Sequence, residues 1–237
     1  MNISQMNISP KNTMSFLNLF GVIKDLTNEA TIEFDIDKIK IFSTDSIFSV
    51  HISKDKLIDY VCLVNSVSIV NTQEMYDSIK NKIKVKNSVT GEYYMNFIPL
   101  SSCYKERVEP IIHLGENKKQ EKIKESYEII SKWQYRIKAK VLCDSLVFIN
   151  KDSDFMKIKC SSKTVSFIHK NGIIKPESTI VLPNNKFKAY INIHNLIHCC
   201  NFYCNDVHMN HVLYGNDERV LIVSYNLLDI GIFTLYV

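Results

Sequence analysis

The stretch Glu218–Val237, ERVLIVSYNLLDIGIFTLYV, holds two apolar, β-branched runs on either side of a short Leu-Leu-Asp break. Read alone it is a strand pair, and an isolated pair of this composition would be adhesive and marginally stable. More sheet must cover it. Where that sheet comes from decides the fold.

Working outward, the chain has 237 residues, 46% hydrophobic and 23% charged, which is enough for one large domain or two small ones. Lys, Asp, Asn or Ser interrupts every apolar run before it reaches membrane-spanning length, so no membrane partner is expected. The first residues, MNISQMNISPKNTM, lack the charged-then-apolar plan of a signal peptide. Seven cysteines, an odd set mostly inside apolar patterns, read as reduced buried thiols rather than a disulfide framework. A formal net charge of +4 permits a polyanionic partner without demanding one.

Upstream of the terminal stretch, helical and extended patterns alternate. Met14–Leu26 sets Phe16, Leu17, Phe20, Ile23 and Lys24 at helical spacing, with Asn12 or Thr13 as cap. ATIEFDI, KIKIFST, SIFSVHIS and LIDYVCLVN then read as half-buried strands, followed by a short helix at TQEMYDSIKN with Met75 and Ile79 on one side. KIKVKNS, EYYMNFIPL and ERVEPIIHL complete a first domain, 1–114. Residues 115–134 are charged and polar and read as a connector, with Tyr127, Ile129, Ile130 and Trp133 as its apolar points.

The remainder, 135–237, follows the same order. A helix at Lys138–Asn150 precedes MKIKCSS, TVSFIHK, an Asn171-Gly172 turn and STIVLP, then a helix around NIHNLIHCC, a strand at DVHMNHVLYG and the terminal stretch. FSTDSIFSVHI (42–52) parallels CSSKTVSFIHK (160–170) without a gap, and Glu-Arg-Val recurs at 106–108 and 218–220. Two matches in one order predict an internal duplication: an α+β chain of two similar domains, each with two short helices on antiparallel sheet.

No catalytic constellation with usable spacing is present. There is no phosphate-cradling glycine loop, no HExxH, no nucleophile elbow and no paired-carboxylate motif, so a non-enzymatic role without cofactor is expected. The densest set of soft ligands is His198, Cys199, Cys200, Cys204, His208 and His211. Cys199 and Cys200 read as the end of an amphipathic helix, and His208 and His211 fall on opposite faces of a strand, so no metal site is expected there. Two basic groups remain: Lys80, Lys82 and Lys84 at the end of the second helix, and Lys138 and Lys140 at the start of the third. By themselves such lysines read first as an ordinary solvated face, though lysines on short helices also provide sequence-blind phosphate contacts.

The chain resembles the proliferating cell nuclear antigen (PCNA) family of DNA sliding clamps. IKDLTNEA (23–30) followed by STDSIFSV (43–50) is similar to the family's KDLxxEA helix end and MDxSHVxL strand. VLIVSYNLLDIGIFTLYV matches the family's VxYxIxDxGxxxYYLAP ending at Tyr225, Asp229, Gly231 and Tyr236. The resemblance implies the DNA-clamp fold, a head-to-tail homotrimeric ring around duplex DNA, a clamp loader, and docking of short peptides from polymerases and other replication and repair proteins. The site of action implied is the nucleus, or a viral replication compartment. DNA-facing family positions map to Lys24 and Lys80, to which local charge adds Lys82, Lys138 and Lys140. The peptide groove would be walled by Thr44, Phe48, Ile129, Ile130, Val220 and Tyr236. Thr44 and Phe48 stand where the family usually has Met and His. The alternative is a subunit of a heterotrimeric checkpoint-type clamp, or a clamp-derived viral replication or transcription factor.

Overall fold

Strand pairing follows the alternation of apolar and polar side chains, and it builds the same pattern twice. The computed structural model describes residues 4–8, 10–43, 47–62, 65–84, 93–97, 135–151, 153–161, 164–176, 178–180, 187–214 and 218–237. The chain divides into two units, Met1–Ile112 with Leu227–Phe233, and His113–Asn226 with Thr234–Val237.

The first unit contains β1 (Ser4–Ile8), α1 (Pro10–Leu26), β2 (Glu29–Phe34), β3 (Lys38–Phe42), β4 (Phe48–Ser53), β5 (Ile58–Val61), β6 (Ser66–Asn71), α2 (Thr72–Lys84) and β7 (Tyr93–Phe97). These strands form two antiparallel groups, β4-β3-β2-β6 and β5-β1-β7. Across the first, Ile32 pairs with Ile41 and Ile41 with Val50, while Phe34 pairs with Ile39 and Ile39 with Ile52. All six are buried, so one face of the sheet is continuous core. From α1, Phe16, Leu19, Phe20 and Ile23 are also buried, at the spacing of one helical face. Each such side chain contributes about 1.5–3 kcal/mol on burial.

The second unit contains β8 (Tyr135–Lys138), α3 (Ala139–Asn150), β9 (Phe155–Cys160), β10 (Val165–His169), β11 (Gly172–Ile174), β12 (Ser178–Ile180), β13 (Phe187–Asn192), α4 (His194–His198), β14 (Asp206–Tyr214) and β15 (Glu218–Leu227). Five antiparallel pairings of the first unit, β2 with β3 and β6, β3 with β4, and β1 with β5 and β7, recur here. Their counterparts are β9 with β10 and β13, β10 with β11, and β8 with β12 and β14. Helices fall at equivalent places, α3 for α1 and α4 for α2. Leu142, Leu146 and Ile149 form the buried face of α3.

The duplication is therefore a property of the topology, but the longer of the two matches does not mark equivalent strands, and the Glu-Arg-Val copy at 106–108 lies outside the described residues. The ungapped match lays the β3–β4 hairpin on the β9–β10 hairpin, whereas pairing makes β3 the counterpart of β10. Period-two alternation repeats from strand to strand, so neighbouring hairpins resemble one another as text.

Other expectations shift at their edges. Helix α1 begins at Pro10, ahead of Asn12 and Thr13; proline is well suited to a first helical turn, where its missing N–H costs nothing. LIDYVCLVN is shorter as a strand, Ile58–Val61, and is entered from a 3-10 turn at Lys54–Lys56. Strands β1, β6 and β13 were not anticipated. In β6 the apolar Val67 and Ile69 are 61% exposed, so the usual inward apolar signal is reversed on this edge strand. KIKVKNS partly completes α2, and the expected strand ERVEPIIHL and the connector 115–134 lie outside the described residues.

The terminal stretch is covered on both sides. Leu221, Ile222, Val223, Ser224 and Tyr225 are successive buried residues of β15, the mark of a strand enclosed on both faces. In the second unit, Leu221 and Val237 exchange both backbone hydrogen bonds at 2.9 Å, and the Ser224 and Thr234 hydroxyls meet at 3.1 Å. In the first unit, Gly231–Phe233, the start of β16 (Gly231–Tyr236), lies along β4. The Phe233 ring stacks on Phe48 at 5.5 Å. Gly231 is required here, because an added Cβ would collide with the His51 carbonyl oxygen.

Candidate nucleic-acid interface

In the first unit, two lysines far apart in sequence converge through helix packing. Lys24, in the last turn of α1, has its ammonium 5.1 Å from the centre of the Tyr76 ring, and Lys80 of α2 approaches the same ring at 5.5 Å. The Tyr76 ring packs over Gly21, where a Cβ would meet it at an ordinary contact distance of 3.5 Å. Lys24 also bonds Asp25 at 2.7 Å, and that hydrogen bond raises its pKa. Helix α2 starts on a side-chain cap, Asn71 Oδ1 accepting the Glu74 N–H at 3.0 Å. Its acids, Glu74 and Asp77, lie in the first half, and Lys80, Lys82 and Lys84 in the second, the order that complements a helix dipole. Lys82 lies in α2; its side chain is outside the described residues.

The second unit treats its cations differently. Lys138 precedes α3 and is 61% exposed, but its ammonium is 3.0 Å from Asp206, which also binds Arg136 at 2.6 Å. The Arg136 hydrogen bond, and after it that of Lys138, holds the Asp206 carboxyl below the ordinary carboxylate range. Strand register produces this cluster: β8 and β14 pair Asp206 with Lys138 and His208 with Arg136. Lys140 is exposed one helical turn before the exposed Asp144. Sequence reading missed Arg136 and Asp206, which lie 70 residues apart and meet only through strand pairing.

The residues expected to wall a peptide groove are distributed as follows. Phe48 is 1% exposed, packed on Phe233 inside the first unit, so it supports a surface rather than offering one. Val220 lies in β15 of the second unit, opposite Val212, and Tyr236 is half-buried in that unit. Thr44, Ile129 and Ile130 are outside the described residues.

Among the described residues no three His, Cys, Asp or Glu side chains converge as a metal-holding group. Cys199 is fully buried beside Tyr225, and burial pushes its thiol pKa well up. Two imidazoles do meet, His198 and His194, whose ring nitrogens approach to 3.3 Å. Among the described residues no helix is long and apolar enough to cross a membrane.

No protein-family model matches the sequence. No curated protein matches it by sequence either. Among solved structures the chain is similar to one from the PCNA2-PCNA3 complex of Sulfolobus tokodaii, at 13% identity and a TM-score of 0.64, with 98% of each chain covered. Coverage of that extent includes both repeated units. The fold of this chain is that of the PCNA-type sliding clamps.

Proposed function

We propose that the chain is a DNA sliding clamp: a non-enzymatic, ring-shaped processivity factor of three identical copies joined head to tail around duplex DNA. What carries the reading is an asymmetry between equivalent sheet edges. In the first unit the outer edge of β4 is taken by Gly231–Phe233. Its counterpart in the second unit, β11, ends its sheet, and among the described residues no strand lies beyond it. An open edge on one unit of a duplicated fold is the place for a strand from the next copy, and closure of the ring leaves no such edge exposed.

A topological link needs only weak, mobile phosphate contacts, and tight base-specific ones would stop sliding. Lys24 and Lys80, held beside Tyr76, suit that task, with Lys82, Lys138 and Lys140 adding charge. Polymerases and other replication and repair proteins would dock through short peptides, and the resemblance assigns Thr44, Phe48, Ile129, Ile130, Val220 and Tyr236 to that role. A loader would open the ring, in the nucleus or a viral replication compartment.

The test is retention. Ring assembled on nicked circular duplex and then chemically closed across its subunit contacts should stay bound in about 0.5–1 M salt, roughly three to seven times the physiological level, and slide off after the DNA is cut once. Equal loss from circular and linear DNA would exclude encirclement. A second reading, one subunit of a heteromeric clamp, is favoured by the similar structure being a complex of two PCNA proteins. It predicts that the pure chain alone does not form the ring.

A further inference from the structure

We propose that His194 and His198 form a two-imidazole seat for a borderline divalent cation such as Zn2+. The two Nε2 atoms are 3.3 Å apart, with ring centres at 4.7 Å and planes 89° to one another. A tetrahedral zinc with nitrogen ligands at about 2.05 Å sets them about 3.3 Å from each other. The rings therefore stand at the separation the ion would impose. The Nε2–H···Nε2 contact that joins them is replaced by two Nε2–metal bonds once that hydrogen moves to Nδ1 of its ring.

The seat is held on an anchored element. His194 and His198 are four residues apart, so a helical turn places them on one face. Ile193, Leu196 and Cys199 are 0–1% exposed and fix that turn to the core. The Asn192 side chain accepts the His194 N–H at 2.9 Å, and the Ile193 carbonyl accepts the Ile197 N–H at 3.0 Å. Neighbouring thiols are turned to other partners: Cys199 is buried, and Cys200 Sγ lies 3.7 Å from the Leu196 carbonyl.

Because no third protein ligand completes the group among the described residues, the remaining positions fall to water or to an incoming anionic oxygen. The site thus has the open form rather than the closed structural form. The seat itself does not rest on the clamp reading. Under that reading it would add positive charge on α4, the counterpart of the helix that carries Lys80 in the first unit.

The experiment titrates Co2+ and then Zn2+ into the full chain, with thiols kept reduced, followed by visible absorption and calorimetry. One equivalent should bind, with the spectrum of nitrogen and oxygen ligation and no thiolate-to-cobalt charge transfer. His194→Ala and His198→Ala should each weaken binding about tenfold or more, and His169→Ala should leave it unchanged. The proposal is overturned by absence of saturable binding, by thiolate charge-transfer bands, or by wild-type affinity in both alanine variants. Should a variant fail to fold, the wild-type cobalt spectrum and metal-dependent shifts of the two histidine ring protons decide. Failure here leaves DNA retention untouched, so the two proposals fail separately.

Discussion

The two units share their pairings and differ in what their helices carry. In the first, α1 and α2 run 17 and 13 residues and bring Lys24 and Lys80 to one tyrosine ring. In the second, α3 and α4 run 12 and 5 residues; Lys138 is bound by Asp206, and α4 offers histidines. Duplication fixed the sheet, where each strand must match its neighbours. It left the helix surfaces free to diverge, since a solvated face need not match anything. The first unit is thus the stronger candidate for phosphate contact.

The sheet half of that comparison breaks most readily at the terminal strand. Phe48→Ala or Phe233→Ala removes half of a buried stack and should cost about 3–5 kcal/mol, read by chemical denaturation. Gly231→Ala, which forces a Cβ onto the His51 carbonyl, should cost about 3 kcal/mol. Glycine at the surface of the second unit, Gly172, meets only the His169 side chain at 3.9 Å, so Gly172→Ala should cost clearly less. Equal losses at the two glycines would remove the distinction.

Acid should act through the first unit as well. Burial, then the nearby Lys40 and Lys38, lowers the His51 pKa from 6.5 to about 4. Between those values the unfolded chain binds the proton and the folded chain does not, so this stability is present above about 6.5 and is lost as pH falls toward 4. The loss should be on the order of 3 kcal/mol, and His51→Gln should flatten that part of the stability profile.

Smaller effects sharpen the helix half. Lys24→Ala and Lys80→Ala should each lower the salt slope of DNA binding by about one. Asp206→Asn should change stability by less than about 1 kcal/mol, and should raise DNA affinity if Lys138, once released, reaches phosphate. A larger loss of binding from Lys138→Ala than from Lys80→Ala would reverse the ranking of the units.

Much of the sheet was legible in the sequence because inward alternation repeats in ATIEFDI, KIKIFST and SIFSVHIS, and burial enforces it. Strands such as β6, whose Val67 and Ile69 face outward, carried no such signal. Of the candidate site, the lysines could be read as charge, but not what each touches. Tyr76 meets Lys24 across helix packing, and Asp206 meets Lys138 across a strand pair. The His194–His198 pairing is visible as a four-residue spacing, but spacing alone does not show that the two rings meet at 3.3 Å.

Under the clamp proposal, identical copies close through the β11 edge. Native mass spectrometry of the pure protein tests it most directly. A species of three 27.5 kDa chains is expected. A monomer that persists at concentrations of tens of micromolar, about where even weak specific interfaces assemble, would contradict it.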